Sequence, residues 1–229
     1  MPYQEWNLLE QYIGSINHPH QWYGGRTYAQ HGDDLAILNI FGCLRIEKPS
    51  YLDIGAHHPF ELSNTALLYS RGSRGINVEA NAELIPNFLK LRPEDINVCA
   101  AVVGTPRPAS VWLNRVTKTS GINSLLPVES KMDAVEVTAT TAQEIVDKFA
   151  KGIWPDLLSL DAEGVDVDIL RTVQFKEQGP KVLCVEAVSR SGNVSGELRG
   201  LLNDKGYSVH SWCGGNMLFV KTDIIDWCR

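Results

Sequence analysis

The sequence predicts an α/β fold: a Rossmann-like, mostly parallel seven-stranded sheet with helices on both faces, an antiparallel last strand and a helical N-terminal extension. Three observations predict it. From residue 50 onward, short apolar runs alternate with amphipathic stretches, the pattern of repeated βα units. Several of these runs stop at an acid or a glycine, as in SYLDIG, RGINVE and DLLSLDAEG. The alternation closes with two apolar runs joined by Cys213-Gly214-Gly215, a joint short enough for an antiparallel hairpin.

Each element follows in order. Residues 1–48 read as a helical extension. Trp6, Leu8, Leu9, Tyr12 and Ile13 recur at helical spacing, and Asp33-Asp34 opens a second helix, where carboxylates suit the helix dipole. Residues 49–229 read as one sheet domain. SYLDIG is the first strand, and Ser63-Asn64 caps a helix running to about Ser70. RGINVE is the second strand and Asn81 to Leu91 the next helix. INVCAAVV reads as one continuous third strand, and VWLN and VEVTAT as weaker strands flanking a loop. Helix from Thr141, strand DLLSLDAEG, helix from Val165, strand KVLCVEAV and helix Gly196 to Asp204 follow, before YSVHSW and NMLFVK.

Composition narrows the function. Hydrophobic residues make up 44% and charged residues 21%, as in an ordinary globular domain. The net charge of −6 lacks the basic excess of a phosphate-binding surface, so the reading expects no nucleic-acid partner. The five cysteines are odd in number and lack CxxC spacing, which predicts reduced, mostly buried thiols in a cytoplasmic protein and no zinc site. No basic start followed by an apolar run marks a secretory signal, and no run reaches the roughly 18 apolar residues of a membrane helix, so no membrane partner is expected.

Ligands of parallel α/β sheets bind at the carboxyl ends of the strands. Asp53, Gly55 and Ala56 end the first strand. A glycine there lets backbone approach a ligand, while GxGxxG and GxxxxGK[ST] are both absent, so a pyrophosphate is not what the loop offers. Glu79 ends the second strand, roughly 20 or more residues past that glycine, where Rossmann sheets place the acid that binds ribose hydroxyls. A structural strand end and a helix-start acid are the alternatives for these two. Asp161 and Glu163 end a buried apolar strand, with Glu186 ending the next. They read as a general base, a hydroxyl-binding pair or ligands for a shared Mg or Mn ion; the alternative is a helix N-cap at Glu163 or Gly164. His57 and His58 are a base, a metal ligand or scaffold.

The stretches YLDIGAHHPFELSNTALLYSRGSRGINVEANAEL, LLSLDAEGVDVDIL and GYSVHSWCGGNMLFVK, with the upstream YAQHGDDLAI, resemble the FkbM-type family of S-adenosylmethionine-dependent methyltransferases. The resemblance implies a class I methyltransferase domain over residues 49–229, its last strand inserted antiparallel. It also implies S-adenosylmethionine as cofactor and methyl transfer to an oxygen of a sugar or other small hydroxylated molecule. Carried over by position, Asp53 and Gly55 would form the first cofactor motif and Glu79 would bind the ribose, with Asn81 nearby. Cys99 and Ala100 would edge the adenine pocket. Gln30 and Asp34 would belong to an N-terminal lid, and Asp161 and Glu163 would face the reacting end. Many relatives carry Asn where His57 stands. The rivals are a non-catalytic binding protein on the same fold and a methyltransferase of nucleic acid or protein. A homodimer is compatible with the sequence.

Overall fold

A computed structural model describes residues 27–115, 123–124, 133–162, 164–175, 178–189 and 192–224. Its centre is a seven-stranded sheet. In spatial order the strands are β12 (Tyr207–Cys213), β13 (Asn216–Lys221), β9 (Val182–Glu186), β8 (Leu157–Leu160), β1 (Tyr51–Ile54), β2 (Gly75–Glu79) and β3 (Ile96–Cys99). Strands β3, β2, β1, β8 and β9 pair in parallel, and β13 pairs antiparallel with both β9 and β12. The short turn at Gly214, φ +56°, allows only an antiparallel return, so the last strand slots between β12 and β9.

Period-two alternation sends successive side chains to opposite faces. Leu52, Ile54, Leu158, Leu160, Leu183 and Val185 share one core with helices α4 (Ala142–Phe149), α5 (Asp166–Thr172) and α6 (Ser195–Asp204). Tyr51, Leu157, Val182, Cys184, Leu218 and Val220 share the other with α1 (Asp33–Cys43) and Leu68 of α2 (Ala66–Ser70). Helix α4 begins with a capping box: Glu144 N–H donates to Thr141 Oγ1 and Thr141 N–H to Glu144 Oε2.

Several expectations need correction. INVCAAVV is not one strand. It breaks at Ala100, whose N–H donates to Glu79 O, and Ala101–Val102 (β4) leaves for a second sheet. There β7 (Asp133–Thr140) pairs with β4 and, antiparallel, with β5 (Ser110–Arg115), which also pairs with β6 (Asn123–Ser124). The two weak strands thus build a sheet of their own around Ala101, Leu113 and Val137. Helix α2 starts at Ala66 rather than after Asn64, with Ser63 Oγ accepting from Ala66 N–H. The helix expected from Asn81 is α3 (Ile85–Leu91), because Asn81 Oδ1 turns back to Glu83 N–H and Pro86 sits in its first turn. Of the described cysteines Cys43, Cys99, Cys184 and Cys213, all free thiols, Cys184 is buried while Cys43 and Cys99 are exposed, so the expectation of mostly buried thiols fails. The helix expected before residue 27 lies outside the described residues.

Under the α1–α3 face lies a buried polar layer. Arg92 is fully buried. Its Nε donates to Asp95 Oδ2 at 2.9 Å, Nη2 to Tyr51 Oη at 2.8 Å and to Thr65 Oγ1 at 3.1 Å, and Nη1 to Pro59 O at 3.3 Å. Asp95 in turn accepts from Tyr51 Oη, Gly75 N–H and Asn77 Nδ2. Thr65 Oγ1 donates to Asp53 Oδ2 at 2.6 Å. One guanidinium therefore ties β1, β2, the α3–β3 turn and the loop after β1 together.

Removing one partner of a buried ion pair leaves the other charge uncompensated. Arg92→Met should destabilise the fold by about 3–5 kcal/mol in urea unfolding, and Asp95→Asn added to it should recover part of the loss. A single-variant cost below about 1 kcal/mol, the worth of an exposed pair, would show that the layer is not what holds these strands.

Candidate cofactor and acceptor site

Strands β1, β2 and β8 stop side by side, with Ile54 in register with Val78 and Leu160. Backbone bonds lace the three exits: Gly55 N–H and Ala56 N–H both donate to Val78 O, and Asp161 N–H donates to Ile54 O. Gly55 has φ +77°, and a Cβ there would lie 1.7 Å from Asp161 O. The position admits glycine alone, because both the left-handed backbone and the crossing loop exclude a side chain.

Glu79 ends β2 almost wholly buried. Its Oε2 accepts from His57 N–H at 2.9 Å and its Oε1 from Asn81 N–H at 2.7 Å, and Ala80 N–H adds a third bond. Burial raises its carboxyl above the usual range, and these N–H bonds oppose the rise. A carboxylate offers about four acceptor positions, so three backbone donors leave capacity for one more. Beside it lies a cavity of about 430 Å³, bordered by Asn81, Glu83, Cys99, Leu113, Val135 and Val137. That volume is in the range of small-molecule sites. Cys99, the last residue of β3, stands opposite Glu79, and Ala100 is buried just beyond.

Asp53 faces the buried polar layer rather than the open strand tip. It bonds Thr65 and Ser159, and burial raises its carboxyl while Arg92 opposes the rise. Asp161 is half-buried after β8, and Glu186 is half-buried at the end of β9. Glu163 lies outside the described residues. The helix cap expected from Glu163 or Gly164 falls instead at Val165, and the loop's amides go to another acid: Asp166 accepts from Ala162 N–H at 2.7 Å and Gly164 N–H at 3.1 Å. Asp166 gave no signal in the sequence beyond an acid in a first turn. Among the described residues no group of three His, Cys, Asp or Glu is placed to hold a metal ion.

The two histidines differ. His57 adopts φ +52°, and its Nδ1 is buried with no hydrogen-bond partner among the described residues. His58 Nδ1 accepts from Phe60 N–H at 3.2 Å and Glu61 N–H at 2.9 Å, so it shapes the loop. Burial lowers both rings below the ordinary histidine range.

In the N-terminal segment, Gln30 is exposed. Asp34 is spent locally, accepting from Thr27 Oγ1, Tyr28 N–H and Leu35 N–H. Its neighbour Asp33 is fully buried, and neither carboxylate oxygen has a hydrogen-bond partner among the described residues. In the sequence Asp33 carries no signal beyond that of an acid in a first turn.

A family model described as the methyltransferase FkbM domain matches residues 53–209. Among solved structures, the chain is similar to a precorrin-6y C5,15-methyltransferase from Geobacter metallireducens GS-15. Identity is 16% and the TM-score 0.45, over 82% of this chain and 86% of that one. A TehB-like S-adenosylmethionine-dependent methyltransferase from Corynebacterium glutamicum matches at 11% identity and TM-score 0.46, over 96% and 100%. A methyltransferase FkbM from Methylobacillus flagellatus KT matches at 13% identity and TM-score 0.47, over 76% of this chain and 44% of that one. No curated protein matches the sequence.

Because burial lowers both histidines, the folded state binds fewer protons than the unfolded state just below about pH 6.5. Their contribution to stability is present above that value and is lost as pH falls through it. Urea unfolding at neutral and mildly acidic pH should show a smaller acid loss in His57→Gln/His58→Gln than in the wild type. Equal losses would mean that neither ring is held neutral by the fold.

Proposed function

The chain belongs to the FkbM family of S-adenosylmethionine-dependent methyltransferases, and from that premise we propose that it methylates an oxygen of a small hydroxylated acceptor of carbohydrate type. The observation that carries the site assignment is the meeting of Gly55, Glu79 and Asp161 at three adjacent strand ends. The residues fit the cofactor. Gly55 gives the close backbone approach, and Glu79 keeps acceptor capacity for a ribose hydroxyl. Asn81 and Cys99 border the cavity where a nucleobase would rest, and Ala100 follows Cys99 in the chain. When bound, S-adenosylmethionine supplies an electrophilic methyl on a sulfonium.

The protein's own work is to align the acceptor hydroxyl, take its proton and keep water out. Asp161, following the strand next to β1, is the group we assign to that proton. His57, neutral and with Nδ1 unbonded among the described residues, is the second acceptor in reach of the same loop. An acidic site and a net charge of −6 favour a neutral polyol over a nucleic-acid backbone. The four described cysteines, all free thiols, fit a reducing, cytoplasmic setting, and among the described residues no helix is long and apolar enough to cross a membrane.

Incubation with S-adenosylmethionine and a panel of polyhydroxylated acceptors should release S-adenosylhomocysteine only with a matching acceptor. Asp161→Asn should lower kcat by about 10²-fold or more, the usual weight of a general base, with cofactor affinity unchanged. Glu79→Ala should weaken cofactor binding by about tenfold or more, the worth of a charged hydrogen bond. Full kcat in the Asp161 variant together with undiminished binding in the Glu79 variant would overturn the assignment.

A further inference from the structure

The carboxylate of Asp33 is fully buried, and both of its oxygens lack a hydrogen-bond partner among the described residues. Burying an ionised carboxylate without a partner is strongly unfavourable. Capping does not explain it: the N-cap of α1 is Gly32, no side chain caps the helix by a hydrogen bond, and the neighbouring Asp34 bonds Thr27, Tyr28 and Leu35 instead. The start of a helix favours an anion there, yet a helix dipole is a weak substitute for direct donors.

The Cys184 thiol on β9 is pushed well up, by burial first and then by the charges of Asp33, Asp53 and Asp161. Cys213, at the end of β12, is raised by burial and by Asp33. Asp33 opens α1, whose Ile37, Ile40 and Phe41 share a core with Val182 and Cys184 of β9, so it stands on the α1 face of the sheet. Its segment is fixed in place: a Cβ on Gly214 would lie 2.1 Å from the His31 ring, so His31 packs directly on the β12–β13 turn. The cation bearing on Asp53 is Arg92, whose charge is already paired with Asp95. A fully buried carboxylate with no donor on either oxygen is matched best by a positively charged, hydrogen-bonding ligand.

We propose that Asp33 binds a primary ammonium, the α-ammonium of the cofactor's methionyl arm. The inference rests on the reading of these strand ends as a cofactor site. It makes Asp33 a binding residue held in readiness by the fold at a cost to the free protein, as binding groups often are. Glu79 then serves the nucleoside end, and Asp33 the amino-acid end.

Calorimetry on the full chain with two probes separates the ends. S-adenosylhomocysteine carries the ammonium, and 5′-methylthioadenosine has the nucleoside without the amino-acid arm. Asp33→Asn should weaken S-adenosylhomocysteine by about tenfold or more, as expected for loss of a charged hydrogen bond, and leave 5′-methylthioadenosine unchanged. The ligand-free variant should melt at the same temperature as the wild type or higher, because the carboxyl it replaces has no hydrogen-bond partner among the described residues to lose. Asp33→Ser repeats the comparison with a smaller side chain. Unchanged S-adenosylhomocysteine affinity would overturn the proposal. So would an equal loss for both probes with a lowered melting temperature, the signature of a structural role. Failure of the wild type to bind S-adenosylhomocysteine would instead overturn the cofactor reading itself.

Discussion

Arg92 is a full positive charge with no access to water, and it can exist there only if its neighbours are fixed around it. Those neighbours come from separate stretches of chain: Tyr51 on β1, Pro59 and Thr65 in the loop after it, and Asp95 before β3. Satisfying the guanidinium therefore sets the path of residues 56–65 relative to the first two strands. Thr65 passes the constraint to Asp53, and Asp53 shares Ser159 with β8. The strand exits that form the candidate site inherit their spacing from this layer. Gly55 can approach Asp161 because both of the elements they follow are pinned beneath them.

Above that layer the polar residues fall into neighbouring pairs with divided work. Asp34 organises the start of α1, while Asp33 beside it is buried without a hydrogen bond among the described residues. His58 accepts two backbone N–H bonds, while the Nδ1 of His57 accepts none among the described residues. Asp166 takes the amides of the loop after β8, so that loop does not need Asp161 to cap it. In each pair one member meets the local demands of the backbone. The other can then be held in an arrangement that local structure alone would not favour.

Much of the sheet was legible because buried parallel strands read as short, mostly apolar runs, and LLSL, VLCV and YLDI do. The antiparallel return was legible from its glycines. The second sheet was not: Ala101 meets Ala139 and Val111 meets Val137 across long stretches of sequence, and short alternating strands carry little signal alone. The strand-end acids were legible as positions but not as orientations. Glu79 ends β2 and Asp161 follows β8, yet Asp53 turns toward Arg92 and Asp34 toward its own segment. A lone arginine after a short helix gives no hint of burial, since arginine is mostly exposed. Which of two adjacent acids turns inward depends on packing that composition and spacing do not encode.

The central claim is that one polar layer positions two ends of a single ligand site, Glu79 at one and Asp33 at the other. A crystal structure of the chain with S-adenosylhomocysteine bound tests it most directly. The account predicts a ribose hydroxyl on the Glu79 carboxylate, the nucleobase toward Cys99 and Ala100, and the α-ammonium on Asp33. A nucleoside that avoids Glu79, or an amino-acid arm that leaves Asp33 without a contact, would contradict it.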